Sequence, residues 1–287
     1  MIDLTNTAYI RSLCARHGIR AKKALGQNFL QDASVLDRIV DAAMPEGSGI
    51  LEIGPGLGTL TRALAPRARK VLAVELDRDL LPVLTETLAD CPNTSVLHGD
   101  ILKMDIPSLL AAEFQDMPVS VAANLPYYIT TPIILALLEQ NLPIQRMVFM
   151  VQKEVCDRML AAPGTKAYGA FTVAVQYRCR ALPVCTVPAS AFSPAPQVDS
   201  AVIALEFYKE KPYVPKDEKH FFSLVRAVFA QRRKTLANGL ANAGRFGNKE
   251  TIADAIAALR LSPSVRGETL SIEQLVDLSD RLLQINQ

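Results

Sequence analysis

The sequence has few of the residues that hold metals or form disulfides, and it has no run that would direct export. Five cysteines and three histidines are scattered among 287 residues, with no CxxC motif and no His/Cys pair at metal-ligand spacing. We therefore expect no metal site, no disulfide framework and a protein of the reducing cytoplasm. The N-terminal segment also lacks the long apolar core of a signal peptide.

Charge is absent from the stretch Met117 to Leu138, which is long enough to span a membrane. The stretch contains three prolines and Asn124, however, and these residues interrupt it with turns. We therefore predict a strand, a loop and a helix inside a globular core rather than a membrane span.

Most of the chain alternates β-rich runs with helical patterns. After an amphipathic helix at residues 32–44, five β-rich runs are each followed by a helical pattern, and they lie at residues 50–54, 70–76, 94–100, 119–124 and 146–152. This rhythm is typical of βαβ units and predicts a mostly parallel sheet covered on both faces. Residues 173–187 and 201–208 are also β-rich, and the second of these runs is expected to close the sheet.

A second domain is predicted at the C-terminal end. Residues 209–219 are dense in charge and proline, as in a linker, and the segments beyond them show helical periodicity. We therefore expect an α/β domain over residues 1–208 and a small all-helical domain over residues 209–287.

The net charge of +2 conceals two basic segments. Residues 1–30 carry a net charge of +4 and residues 221–249 a net charge of +6, so the rest of the chain is acidic. Two basic segments on an acidic body suggest a localised surface that binds a polyanion. The alternative for each segment is a solvated helix face.

Three predicted strand ends carry groups suited to a nucleotide-like cofactor. Gly54, Gly56 and Gly58 follow the first strand and precede a helix, where the backbone can approach a ligand closely. This pattern alone suits NAD, FAD, S-adenosylmethionine or only a tight turn. Glu75 after the second strand is placed to accept both ribose hydroxyl hydrogens. Asp100 after the third is placed to accept from an adenine amino group, although alone it would also suit a helix N-cap.

The fourth strand ends in the tetrapeptide NLPY at residues 124–127, which indicates methylation of an exocyclic amine. The lone pair of an adenine amino group is delocalised into the ring, so an enzyme has to draw it out. We predict that the Asn124 side-chain oxygen and the Pro126 carbonyl each accept one amino hydrogen, and that Tyr127 stacks on the base. A cytosine-5 enzyme would need a cysteine nucleophile beside the proline, and none is nearby. NAD enzymes have no use for this fourth element, so the set predicts a class I, Rossmann-like methyltransferase fold.

A target base inside a duplex has to be flipped out, or presented by a loop, to reach such a pocket. Phe192 lies on a stretch stiffened by Pro194 and Pro196, and it is a candidate to stack on that base. The alternative for Phe192 is a residue that packs the loop. Tyr128 is expected to be structural.

The chain resembles the ribosomal RNA adenine N6,N6-dimethyltransferase family over nearly its whole length, and most closely the bacterial small-subunit enzymes of that family. The motifs that carry the resemblance are LGQNFL (25–30), EIGPGLGTLT (52–61), VELDRDL (74–80), GDIL (99–102), NLPYYITTP (124–132), FSPAPQVDS (192–200) and VRAVFAQRRKTLANGL (225–240). The resemblance implies transfer of two methyl groups from S-adenosylmethionine to each of two adjacent adenosines. These adenosines lie in a hairpin loop near the 3′ end of 16S ribosomal RNA and are modified late in 30S subunit assembly.

The resemblance also implies site residues that composition does not nominate. Cofactor contacts fall on Asn28, Leu30, Gly54, Glu75, Asp100 and Asn124, whereas pattern alone would make QNFL the start of the first helix. RNA contacts at the edge of the C-terminal domain fall on Arg232, Arg233 and Lys234. A monomer is expected, since no apolar surface pattern calls for a dimer.

Three alternatives share part of this pattern. A large-subunit adenine methyltransferase of the macrolide-resistance type shares QNFL and an NxPY motif, but GPGLGTLT and QRRKTLANGL favour the small-subunit branch. A noncatalytic RNA-binding assembly factor, or a mitochondrial transcription factor of the same fold, would not need an intact set of cofactor residues. A DNA adenine methyltransferase would usually carry a separate recognition domain, for which the helical tail is too short.

Overall fold

The computed structural model describes residues 2–19, 28–43, 47–140 and 142–285. The chain divides into two compact units, of which the first comprises Met1–Cys156 and Arg180–Phe207 and the second comprises Asp157–Cys179 and Tyr208–Gln287. The predicted domains, residues 1–208 and 209–287, stay a prediction, and they differ from these units in the placement of residues 157–179 and Tyr208. None of the described helices is long and apolar enough to cross a membrane.

A seven-stranded sheet forms the centre of the first unit. The strands of the described chain are β1 (Phe29–Leu30), β2 (Gly49–Ile53), β3 (Lys70–Glu75), β4 (Thr94–His98), β5 (Val119–Asn124), β6 (Ile144–Gln152), β7 (Cys179–Val187), β8 (Phe192–Ser193) and β9 (Ser200–Phe207). The sheet has the order β4-β3-β2-β5-β6-β9-β7. Strands β4, β3, β2, β5 and β6 run parallel, and β9 is antiparallel to β6. The predicted, mostly parallel sheet is confirmed, although β7 and not β9 lies at its edge.

Eight helices precede β7 in the described chain. They are α1 (Thr7–Arg16), α2 (Ala33–Ala43), α3 (Thr59–Leu64), α4 (Leu81–Thr87), α5 (Ile106–Phe114), α6 (Thr130–Glu139), α7 (Lys153–Leu160) and α8 (Ala170–Arg178). Helix α2 shows the predicted amphipathic pattern, with buried side chains at Val35, Leu36, Ile39, Val40 and Ala43. Its buried face packs with residues of β2, β3, β5, β6 and β9 in one apolar cluster.

The sequence analysis did not predict α1, although a start signal is present. The Asn6 side chain accepts hydrogen bonds from the N–H groups of Ala8 and Tyr9, as an N-cap residue does. At the other end, Arg16 and His17 contact the carboxylate of Glu86 at 2.5 and 2.6 Å. Part of the basic charge predicted in residues 1–30 is therefore paired within the protein. Arg20, Lys22 and Lys23 of that segment lie outside the described residues.

The β-rich interpretation of residues 173–187 was wrong in its first half. Residues up to Arg178 belong to α8, and the strand begins only at Cys179. Valine and aromatic residues favour strands locally, but tertiary burial of Phe171, Val173 and Tyr177 overrides that preference. A hydrogen bond from the Gly169 N–H to the Thr172 hydroxyl, 3.1 Å long, fixes the first turn of this helix.

Four helices follow the predicted linker in the second unit, namely α9 (Glu218–Ala230), α10 (Leu236–Ala243), α11 (Lys249–Ala258) and α12 (Ile272–Ile285). They match the predicted helical region. Their apolar faces, together with α8, bury one core that includes Tyr168, Tyr177, Phe221, Leu224, Leu240, Phe246, Ile252, Leu275 and Leu282. Burial of aromatic and aliphatic side chains at this density is the main stabilising contribution to a small helical unit.

Candidate active site

The carboxyl ends of β4, β3, β2 and β5 lie side by side and form one edge of a cleft. The cleft encloses about 1180 Å³ of space, part of it open to solvent. The sequence-predicted residues that line it are Asn28, Leu30, Gly54, Gly56, Glu75, Asp100, Asn124, Pro126 and Tyr127. The structure thus brings together the residues that the sequence assigned to cofactor and base, although their roles stay predictions.

Glu75 joins the end of β3 to the glycine turn after β2. Its Oε2 accepts a hydrogen bond from the Gly56 N–H at 3.1 Å, and its Oε1 accepts one from the Asp77 N–H at 2.7 Å. Burial raises the pKa of this carboxyl, while the hydrogen bonds from Asp77 and Gly56 oppose the rise. Each carboxylate oxygen retains capacity for a further donor, which is what a ribose diol requires.

The glycine turn needs its glycines for backbone conformation. Gly54 and Gly56 have φ values of +70° and +61°, a region that other residues rarely adopt. A Cβ at Gly56 would meet the Phe29 ring at an ordinary contact distance of 3.6 Å, so the backbone conformation and not crowding requires glycine here. The turn can therefore present its backbone to a ligand in the cleft.

Glu52 is a cleft residue that the sequence analysis missed. It lies on β2, is 1 % exposed, and burial raises the pKa of its carboxyl to about 8. Its Oε2 has no partner with hydrogen-bond geometry within the described part of the chain, although the Thr61 hydroxyl lies close enough to oppose the rise in pKa. The signal in the sequence is a lone acid inside the apolar strand ILEIG, directly before the glycine turn. A buried polar atom without a partner that lines a cleft fits a site built for a polar or cationic ligand group.

Asp100 lies in the turn that follows β4. One of its oxygens accepts a hydrogen bond from the Leu102 N–H at 3.1 Å, and the other lies 3.6 Å from the Lys103 ammonium. The first contact is the local backbone bond expected of a capping aspartate. Because a carboxylate has capacity for about four donors, this contact leaves room for a ligand amino group.

The orientation of Asn124 is fixed by residue 28. Its Nδ2 donates a hydrogen bond to the Asn28 carbonyl at 3.2 Å, which leaves Oδ1 as the side chain's acceptor atom. The Leu125 N–H is held by the Met150 carbonyl at 3.1 Å. The Pro126 carbonyl accepts two hydrogen bonds, from the Ile129 N–H at 3.2 Å and the Thr130 hydroxyl at 2.9 Å.

The next two tyrosines differ in burial. The Tyr127 hydroxyl lies 2.7 Å from the hydroxyl of Ser200, a fully buried residue at the start of β9. Burial raises the pKa of Tyr127, so its phenol stays neutral at physiological pH. Tyr128, in contrast, is 54 % exposed and lines the cleft. Tyr127 is thus half-buried with its hydroxyl held by Ser200, while Tyr128, which was expected to be structural, is accessible to a ligand.

Phe192 lies in an apolar cluster and is not among the described residues that line the cleft. It belongs to β8, which pairs antiparallel with β1 so that Phe192 faces Leu30 and Ser193 faces Phe29. Its side chain is 5 % exposed. In this conformation Phe192 packs the loop, and its predicted role as a stacking partner stays a prediction.

Three basic residues predicted to bind RNA follow α9 in the second unit. Arg232 is ion-paired with Glu268 at 2.8 Å, whereas Arg233 and Lys234 are exposed. Arg232 therefore differs from its two neighbours, because its charge is paired within the protein and theirs are exposed. Their contact with RNA stays a prediction.

A parallel sheet of this order, with an antiparallel β9 beside β6 and a ligand cleft at its carboxyl edge, defines the Rossmann-like methyltransferase class. Residues 18–283 match the family described as ribosomal RNA adenine dimethylase. The chain belongs to this family, whose members are methyltransferases that use S-adenosylmethionine.

Individual relatives agree with this assignment. The chain is 48 % identical over 287 residues to the ribosomal RNA small subunit methyltransferase A of Bacillus licheniformis. The matched region covers 99 % of this chain and 98 % of the relative. Among solved structures, the fold is similar to that of a dimethyladenosine transferase from Plasmodium falciparum, with a TM-score of 0.74 and 28 % identity. The match covers 90 % of this chain and 97 % of that one. It is also similar to that of the 23S rRNA methyltransferase ErmE, with a TM-score of 0.69 and 28 % identity. This match covers 90 % of this chain and 100 % of that one.

Proposed function

We propose that this protein transfers methyl groups from S-adenosylmethionine to the N6 amino groups of adenosines in small-subunit ribosomal RNA. Support comes from the family and from a full-length relative named as a small-subunit enzyme. The targets are two adjacent adenosines in a hairpin loop near the 3′ end of 16S RNA, each of which receives two methyl groups. The substrate is an immature 30S particle in the cytoplasm, late in assembly, and the enzyme acts as a monomer.

The cleft residues fit S-adenosylmethionine, which supplies an electrophilic methyl group on a sulfonium when bound. Glu75 would hold the ribose hydroxyls of the cofactor, because both of its oxygens are positioned by backbone N–H groups. Asp100 would accept a hydrogen bond from the amino group of the cofactor's adenine, and the glycine turn would present its backbone to the rest of the cofactor. Asn28 and Leu30 supply the wall on the side of β1. The partnerless oxygen of Glu52, which lines the cleft, supports a polar ligand group beside β2.

Asn124 carries the chemical argument. Its Nδ2 is held by the Asn28 carbonyl, so its Oδ1 is available to accept a hydrogen bond from the base. The side chain then does not have to reorient when the base binds. An adenine amino hydrogen donated to this oxygen withdraws the nitrogen from conjugation with the ring and directs its lone pair toward the methyl donor. Catalysis then depends on orientation and electrostatics, with no covalent intermediate.

A second acceptor is needed for the other amino hydrogen. The Pro126 carbonyl already accepts two hydrogen bonds, which occupy both of its lone pairs. The neighbouring Leu125 carbonyl receives no hydrogen bond from the described residues. We therefore favour the Leu125 carbonyl for this role, and the prediction for Pro126 requires that one of its present bonds be given up.

Tyr127 offers its ring to the base while Ser200 holds its hydroxyl. A stack of this kind contributes roughly 1–3 kcal/mol and tolerates a base that is already methylated once. This tolerance is a requirement for a second transfer to the same nitrogen.

The test is transfer of labelled methyl groups to immature 30S particles that lack the modification, with 50S particles and duplex DNA alongside. Nucleoside analysis of the 30S RNA should give dimethyladenosine, and Asn124→Ala should slow its formation by about 10²–10³ while retaining a native melting transition. Label in 50S RNA would move the protein to the activity named for the ErmE structure. Cofactor binding with no transfer to any substrate would make it a noncatalytic RNA-binding factor.

A further inference from the structure

A groove lies beside the candidate active site, one strand further along the sheet. Strand β6 runs parallel to β5 with Met150 opposite Asn124, so Gln152, the last residue of β6, lies at the same edge of the sheet as Asn124. Neighbouring strands are about 4.8 Å apart. The groove is therefore within reach of a nucleotide that is joined to one bound in the cleft.

Two segments form this groove, residues 152–154 after β6 and residues 197–199 before β9, and we call them the side groove. They enclose about 850 Å³ of space, part of it open to solvent, which is in the size range of small-ligand sites. The Lys153 N–H donates a hydrogen bond to the Asp199 carbonyl at 3.0 Å. The Asp199 carboxylate accepts another from the Ala189 N–H at 3.0 Å. These contacts hold the two walls of the groove together.

Tyr127 and Ser200 connect the side groove to the cleft. Tyr127 lines the cleft, and its hydroxyl lies 2.7 Å from that of Ser200. Ser200 follows Asp199 in the chain and is paired with Gln152 between β9 and β6. Burial, opposed by the Ser200 hydrogen bond, raises the pKa of Tyr127, and the nearby charge of Asp199 adds to the rise. A base that stacks on Tyr127 therefore has the side groove as its neighbour.

The charges of the side groove favour a base over a phosphate. Its charged residues are one cation, Lys153, and two anions, Glu154 and Asp199, so its net charge is −1. Two carboxylates in so small a space repel a phosphate. They suit an uncharged group that donates hydrogen bonds. The amino group of adenine is such a donor, whereas guanine presents an acceptor, O6, at the corresponding position.

Gln152 is the residue of the side groove best suited to recognise the edge of a base. Its side chain is half-buried and forms no hydrogen bond with another described residue. A glutamine amide can donate to N7 and accept from the N6 amino group of the same adenine. Gln197 carries the same amide but is exposed, so more of its rotamer freedom would be lost on binding. Val198 is 47 % exposed and offers an apolar surface to the face of a base.

We propose that the side groove binds the adenosine adjacent to the one that is being methylated. Gln152 recognises the edge of this neighbouring adenine, and Val198 contacts its face. The proposal rests on the proposed function, and it deepens that function by giving the second adenosine a place in the first unit. Gln152 is then a specificity-determining residue for the neighbouring base and not for the reacting one.

Replacement of the neighbouring base tests this recognition. Methyl transfer is measured as kcat/KM on immature 30S particles that keep both adenosines and on particles in which one of them is replaced by guanosine. With both adenosines present, Gln152→Ala should lower kcat/KM by about fivefold or more, which is the lower end of the cost of one bidentate base contact. With guanosine as the neighbour, the wild-type protein should already show this loss, and Gln152→Ala should add little to it. An equal effect of Gln152→Ala on both kinds of particle would overturn the proposal.

The direction of the RNA chain supplies a second readout. The side groove lies on one side of the cleft, so it can receive the neighbour of only one of the two adenosines in a given chain direction. Each adenosine is therefore replaced in turn, and transfer to the remaining one is followed by nucleoside analysis. Gln152→Ala should slow transfer to one of the two adenosines in the unreplaced particle and leave the other nearly unchanged. Equal slowing at both positions would contradict a directional groove.

Gln140→Ala is the matched control, because it removes a glutamine amide from the same unit outside the side groove. Gln140 is exposed and caps the end of α6 that is remote from the NLPY turn. This variant should keep the wild-type kcat/KM on every particle. Failure of the wild-type protein to methylate any particle would overturn the proposed function. An active wild-type protein together with a Gln152→Ala variant that behaves like Gln140→Ala would overturn this inference alone.

Discussion

The cleft uses its polar groups in the opposite way to the loops around Arg232, residues 162–168, 231–236 and 265–270, which we call the three-loop junction. In the cleft, polar atoms keep unused hydrogen-bonding capacity. Glu52 Oε2 has no hydrogen-bond partner among the described residues, and Asn124 donates from its amide nitrogen to the Asn28 carbonyl, which leaves its side-chain oxygen as an acceptor. In the junction, Arg232 and Glu268 satisfy each other, and the charges that remain unpaired are exposed.

This difference matches what each region is predicted to recognise. A buried polar group without a partner costs about 1–3 kcal/mol, so the cleft gives up stability to be ready for its ligand. An exposed cation costs little in water and attracts phosphates through a screened field. Substitutions in the cleft should therefore have large, specific effects, and substitutions in the junction should have small, additive ones.

Asn124→Ala should give the largest effect. Loss of the oriented acceptor should lower kcat for methyl transfer by about 10²–10³, the effect of removing one preorganised hydrogen-bonding group from an active site. Asn124→Asp keeps an oxygen acceptor but loses the hydrogen bond to the Asn28 carbonyl, so it should retain intermediate activity. Single-turnover rates with saturating 30S particles measure both. A rate for Asn124→Ala within tenfold of wild type would contradict the role given to this residue.

Substitutions of Phe192 test whether this side chain belongs to the apolar core, as it does in the structure, or to the cleft. Phe192→Ala should lower the free energy of unfolding by about 3–5 kcal/mol, because it removes a buried aromatic side chain. Phe192→Leu should cost less than about 1.5 kcal/mol and should retain most of the activity. Urea denaturation and methyl transfer are measured on both variants. Normal stability with lost activity in Phe192→Leu would instead indicate that this ring stacks on the target base.

Glu52→Gln should reveal the stability that the buried carboxyl of Glu52 gives up. The pKa of Glu52 is raised in the folded protein from 4.5 to about 8, so folding is penalised as pH rises from about 4.5 and the penalty is complete above about 8. Glutamine does not ionise. The variant should therefore be more stable than wild type by roughly 3 kcal/mol near pH 7 and about 4 kcal/mol near pH 8, and the difference should shrink below about 1 kcal/mol at pH 5.

Urea midpoints at pH 5, 6, 7 and 8 measure this difference, with Glu273→Gln on the exposed surface of α12 as the control. A difference between wild type and Glu52→Gln that stays constant over this range would show that the carboxyl of Glu52 does not titrate as its burial requires.

Ser200→Ala should give the smallest effect. It removes the partner of the Tyr127 hydroxyl, a hydrogen bond with a net contribution of about 0.5–1.5 kcal/mol, so methyl transfer should fall only a few-fold. Tyr127→Phe removes the same bond from the other side and keeps the ring. If the hydrogen bond is the cause, the double variant should be no worse than either single one, as a double-mutant cycle on kcat/KM would measure.

The sequence predicted the sheet and its strand ends well because both depend on local patterns. Apolar runs of strand length and the glycines after β2 gave the βαβ order, and Glu75 and Asp100 followed from their place after a strand. Residues 173–187 failed, because valine and aromatic residues favour a strand while burial in the second unit holds part of this segment as α8. Glu52 was overlooked because its burial depends on every strand around it.

The amino-acid sequence by itself determined that Gly54, Glu75, Asp100 and Asn124 meet at one edge of a sheet, since the carboxyl ends of parallel strands lie together. Only the tertiary structure decided how these groups are held. Asn28 and Asn124 are separated by 96 positions, and Arg232 and Glu268 by 36. Polar pairs at such separations leave no periodic trace in a sequence, because a single hydrogen bond constrains two side chains and no repeating pattern between them.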